Sequence, residues 1–89
     1  MELLNIKDAE GNQIIVGQRY GFTKVTNGIT KVTIGTAKSE SKSGKFVTLK
    51  EIKFRKGLYG NMEDKWTYAL SETVSAYGVN MYRINLDQL

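Results

Sequence analysis

Apolar and polar residues alternate along this chain in short runs that end at glycine or asparagine. A period of two marks half-buried strands and argues against helices. The runs predict strands at Leu3–Lys7, 13–16, 19–25, 29–38, 45–55, 65–70 and 79–85. Turn signals separate them: Glu10-Gly11-Asn12, Asn27-Gly28, the segments 41–44 and 57–61, and Tyr77-Gly78. Residues 71–76 (SETVSA) break the alternation and suit one helical turn with Ser71 as its N-cap. Such a turn is too short to stand alone as a helix. The pattern predicts an all-β fold, a small SH3-like barrel first and an OB-like barrel second, of five to six short antiparallel strands. The match is one of architecture and involves no family motif. At 89 residues the chain reads as one binding domain, 1–89, with no linker or low-complexity tract.

Two details of register follow from the same pattern. TKVT occurs at 23–26 and 30–33, as the arms of a hairpin around Asn27-Gly28. A two-residue turn would pair Thr26 with Ile29, setting Val32 opposite Thr23 and Ile34 opposite Gly21. A three-residue loop, Thr26-Asn27-Gly28, pairs Val25 with Ile29 and sets Phe22 against Val32 and Tyr20 against Ile34. A one-residue shift flips every side chain, so burial of a single apolar face selects the second register. Gly28 would then take the left-handed position of a G1 bulge. In 45–55, Val47 and Leu49 share one parity and Ile52 and Phe54 the other. A bulge near Lys50-Glu51 would reconcile them, turning both pairs inward and Thr48, Lys50, Lys53 and Arg55 outward. Long bent strands of this kind close small barrels.

Charge changes this picture at one place. Thirteen basic and nine acidic residues leave a net +4. Seven of the basic residues and only two acids, Glu40 and Glu51, fall within 38–56 (KSESKSGKFVTLKEIKFRK), which therefore carries the whole excess. Charge so concentrated attracts an anionic partner. Lys50, Lys53 and Arg55 on the strand, with Lys45 and Lys56 at its ends, form a candidate phosphate-binding face over 45–56. Tyr59 follows directly, between Gly57 and Gly60, as a candidate stacking ring. The competing structural role is a solvated strand whose lysines discourage edge-to-edge aggregation. One arginine among lysines suits backbone contact better than base readout. Trp66, Tyr68, Tyr77 and Tyr82 are further aromatic candidates, but Trp66, Tyr68 and Leu70 alternate, as do Tyr82, Ile84 and Leu86, which makes them core faces.

Catalysis has little to work with. Histidine and cysteine are absent, which removes the usual neutral-pH base, the commonest metal ligand and any disulfide. Ser39, Ser41 and Ser43 lack a nucleophile elbow and an activating base. Gly57–Leu58-Tyr59-Gly60-Asn61 does not fit a phosphate-loop or dinucleotide fingerprint. Glu63 and Asp64 are adjacent, so strand geometry points them to opposite faces. No enzymatic activity, catalytic residue, metal or cofactor is expected. The N-terminal MELLNIKDAEG has no basic region of a signal peptide, and no apolar run nears the ~20 residues of a membrane span, so a cytoplasmic protein without membrane contact is expected. The expected function is a non-catalytic binding module that engages nucleic acid or a nucleotide-type ligand through 45–56. The alternative is a small viral or mobile-element accessory protein that docks on a host protein. A homodimer through an edge strand, Leu3–Lys7 or residues 84–89, is a third form of partnership.

Overall fold

The computed structural model describes residues 2–58, 61–69 and 72–85. They are nearly all β. β1 (Leu3–Lys7) and β2 (Gln13–Ile15) form a two-stranded antiparallel sheet. β3 (Arg19–Thr26), β4 (Ile29–Glu40) and β5 (Phe46–Leu58) form a meander that anchors the main sheet. β6 (Asn61–Met62), β7 (Thr67–Tyr68) and β8 (Thr73–Tyr77) all add to the free side of β5, and β9 (Tyr82–Arg83) adds to β3. The sheet curls into a half-barrel, compatible with a small SH3-like or OB-like barrel.

The bend lies where the apolar phase breaks. Ile34 pairs with Lys53 and Gly35 with Glu51, which leaves Ile52 as the extra residue of a bulge. Beyond it Phe54 stands opposite Thr33, on the concave side with Val47 and Leu49, while Thr48, Lys50, Lys53 and Arg55 share the convex side. Gly35 allows β4 and β5 to close on each other at the bend. A side chain there would meet the Lys50 carbonyl oxygen at 2.9 Å and Leu49 Cβ at 3.2 Å.

The concave side holds the core. Ile14, Tyr20, Val47, Leu49 and Met81 are fully buried, with Leu4, Ile6, Phe22 and Ala76 around them. The Tyr20 hydroxyl sits inside this core and accepts a 2.9 Å hydrogen bond from the Ile15 amide, tying β2 to β3. Buried Asp8 accepts from the Glu10 and Asn12 amides and so holds the turn between β1 and β2.

Three expectations are corrected. The hairpin takes the two-residue turn: Thr26 pairs with Ile29, Thr23 with Val32 and Gly21 with Ile34. Asn27 (φ 51°) and Gly28 (φ 79°) both adopt left-handed conformations, as a type I′ turn needs. Burial does not oppose this register, because β9 covers the second face. Ile34 and Ile84 are buried there, and the Tyr82 ring and Ile84 fill the space over Gly21. Next, the segment predicted as a helical turn is strand β8, which pairs with β5 from Phe46 to Lys50; Ser71 lies outside the described residues. The helical turn falls at Gly78–Asn80, directly before β9. Finally, Tyr68 at 71% and Tyr82 at 40% are exposed instead of core, and Leu70 and Leu86 lie outside the described residues.

Candidate nucleic-acid interface

The two-residue turn decides which cations meet. It sets Lys24 directly opposite Lys31, and the β4–β5 register sets Lys31 directly opposite Lys56. Three lysines therefore cross three adjacent strands in one row. Strands lie about 4.8 Å apart, so the row spans about 10 Å. It continues the concave face, beyond Phe22, Thr33 and Phe54, at the point where the core gives way to solvent. Lys24 and Lys56 are exposed. Like charges directly opposite each other destabilise a sheet, so the row carries an energetic cost.

Two contacts moderate that cost. Lys31 Nζ lies 3.2 Å from Glu51 Oε2, with the Glu51 side chain 1% exposed and that of Lys31 32%. This is an ion pair without hydrogen-bond alignment, and neither Glu51 oxygen has a hydrogen-bond partner among the described residues. Beneath the row lies the Phe54 ring, 4.4 Å from Lys31 Nζ and 5.5 Å from Lys56 Nζ. Its π-face supplies a further weak attraction.

The sequence-predicted residues separate into three groups. Lys56 belongs to the row. Lys45 and Lys50 are exposed, Lys45 at the loop end and Lys50 on the convex side. Lys53 and Arg55 share the convex side as their parity requires, but β7 and its flank cover them. Lys53 Nζ is 4.7 Å from the Trp66 ring centroid and 6.0 Å from that of Tyr68, and Arg55 Cζ is 4.6 Å from Trp66. Lys53 is only 8% exposed and Arg55 is half-buried, its Nε enclosed without a hydrogen-bond partner among the described residues. Both cations are thus corrected from open phosphate contacts to covered ones, because the indole that a core face would have buried packs on them instead. Tyr59 lies outside the described residues. Lys24 and Lys31 were missed, although their signal is present: the twin TKVT arms around Asn-Gly align two lysines once a type I′ turn is assumed.

The half-barrel leaves a seam. Among the described residues β3 and β8 border it without pairing, and the pairing of β3 with β9 is short, covering Tyr20 and Gly21 with one further bond from the Ile84 amide to the Arg19 carbonyl. Three adjoining clefts follow the seam and the hairpin. One of about 310 Å³ lies between Phe22, Lys24 and Val25 of β3 and Ser75 and Tyr77 of β8. A second, about 230 Å³, shares Phe22, Lys24 and Ser75 with it and adds Lys31. A third, about 360 Å³, contains the whole row, Lys24, Lys31 and Lys56. No group of His, Cys, Asp or Glu that could hold a metal occurs among the described residues, and none of their helices is long and apolar enough to cross a membrane.

Comparison with protein-family models, with curated proteins and with solved structures finds no match to this chain. What fold and side chains define is a class: a small β half-barrel with a lysine row along an open, shallow groove.

Proposed function

We propose that this chain is a non-catalytic binding module for a polyanion, nucleic acid first, and that the row of Lys24, Lys31 and Lys56 is its phosphate-binding element. The alignment of the three lysines on adjacent strands carries the proposal. An unliganded protein pays for such a row in repulsion, whereas phosphates turn the repulsion into attraction. Lys45 and Lys50 add exposed charge elsewhere on the surface, and the +4 net charge adds long-range steering. Lysine ammonium groups contact phosphate as point charges, so binding discriminates little between sequences. A cytoplasmic setting fits such a partner.

The test is anisotropy of labelled single-stranded DNA, duplex DNA and RNA at low and physiological salt. Wild type binds, and its affinity falls steeply as salt rises. Lys24→Glu with Lys56→Glu weakens binding for every sequence and lowers the salt slope by about 2, one for each lost phosphate contact. Unchanged affinity in that double variant would remove the row from the site.

A second reading has its own observation. Val25, Ile29 and Leu58 are exposed at the hairpin tip and the adjoining end of β5, with Ile29 directly opposite Leu58. An apolar tip suits a protein partner, as an accessory protein acting on a host factor would need. Binding centred there would be nearly insensitive to salt and would survive the two lysine reversals.

A further inference from the structure

The lysine row is one end of a longer track. The 310 Å³ cleft that begins at Lys24 is walled at its other side by Phe46 and Tyr77. These two residues are direct cross-strand partners on β5 and β8, with ring centroids 4.3 Å apart and planes inclined by 31°. They alternate with the core pair Val47 and Ala76, so they point away from the core. Tyr77 is 48% exposed. A ring pair held this way, with one member open to solvent, is a rigid apolar platform. Ser75 and Asn80 line the same cleft and bring hydrogen-bonding groups beside the platform. Tyr77 also walls a further cleft, with Lys45 and Lys7 on it. Cations therefore flank the aromatic pair on both sides: Lys24, Lys31 and Lys56 at one end, Lys45 and Lys7 at the other.

We infer that the polyanion is a single-stranded nucleic acid, with its backbone along the two lysine clusters and one unstacked base resting on Tyr77. The inference rests on the lysine-row proposal and narrows its ligand. Backbone cations with an aromatic platform between them are the combination that holds single strands, because every base offers a π-face. In a duplex that face is already occupied by the neighbouring base pair, so Tyr77 has nothing to stack on. A row of lysines alone would not distinguish the two forms.

Three probes of equal length separate the contributions. They are an oligothymidylate of about 12 nucleotides, within the usual range of single-strand site sizes, its abasic deoxyribose-phosphate analogue, and a duplex. Wild type should bind the oligothymidylate about tenfold more tightly than the abasic strand, the effect of one stacked base. Tyr77→Leu keeps apolar cover over Phe46 and removes the π-face. It should erase that tenfold preference and leave affinity for the abasic strand unchanged, with the thermal transition confirming the fold. Lys24→Glu should weaken all three probes together. Equal binding of oligothymidylate and abasic strand by wild type, or an unchanged preference in Tyr77→Leu, overturns the stacking inference and leaves the lysine row standing. Absence of binding to every probe at low salt overturns both.

Discussion

Lys31 is the residue on which the groove turns. It stands between Lys24 and Lys56, and its charge is partly held by Glu51 beneath it. Replacing Lys31 would leave the Glu51 carboxylate buried and unpaired, which confuses loss of binding with loss of fold. The flanking lysines are cleaner probes. Lys24→Glu converts a like-charged cross-strand pair into an opposite-charged one, so it should stabilise the protein by about 0.5 kcal/mol while it weakens polyanion binding. Urea unfolding with anisotropy on the same variant would establish the opposed signs. A merely solvated face would show no binding loss. Glu51→Gln should act in the reverse direction. It removes the acid paired with Lys31 and leaves Lys31, already a third exposed, free to reach outward. Affinity for DNA at low salt should rise several-fold, and a salt titration of this variant should show a steeper slope than wild type.

Two local devices position the row. The type I′ turn aligns Lys24 with Lys31, and its geometry depends on Gly28 at φ 79°. Gly28→Ala should cost about 1 kcal/mol, because an L-residue resists that conformation. If the tighter turn relaxes toward a longer loop, the arms slip by one residue and Lys24 leaves the row. Affinity should then fall by more than the stability loss accounts for, which comparison of anisotropy with chemical denaturation would reveal. The second device is the bulge at Glu51 and Ile52, which puts Phe54 under the lysines and turns Lys53 and Arg55 to the convex side. There β7 and Trp66 cover the two cations. Reversing Lys53 and Arg55 would therefore report on packing, and it is a poor test of phosphate contact.

For the molecule as a whole, the open seam is the central feature. The main sheet curls far enough to bury a core but ends with β3 and β8 unpaired to each other. The clefts along this seam collect residues from β3, β4, β5 and β8, so ligand would bridge both borders of the half-barrel. A ligand that binds only the folded state stabilises it by an amount that grows with the logarithm of its free concentration over Kd. At 100 times its Kd an oligonucleotide adds about 2.7 kcal/mol. For a domain of this size that raises Tm by roughly 10–20 °C. A thermal shift with oligothymidylate that stays flat, under conditions where anisotropy reports saturation, would mean that the bound form is not the fold described here. The same shift should be lost in Lys24→Glu with Lys56→Glu.

Much of this architecture was legible beforehand. Period-two alternation and glycine-bounded turns were enough for the all-β class, for β1 to its exact residues, for the meander of β3, β4 and β5, and for a bulge near Glu51, because each depends on neighbours within a few positions. The concentration of charge in 38–56 was equally plain. Three things depended on contacts between distant segments. β8 was misread because pairing with β5 overrides the weak helical preference read into 71–76. The hairpin register was misread because β9, some 60 residues away, buries the second face of β3 and cancels the argument from one apolar face. With the register went the candidate site: Lys24 and Lys31 are unremarkable in the sequence and become neighbours of Lys56 only when three strands align. Lys53 and Arg55, prominent in the sequence, are covered by an indole from a strand that the alternation had assigned to the core. A strand's own residues specify that it is a strand, but which face meets solvent is set by what packs on it from elsewhere in the chain.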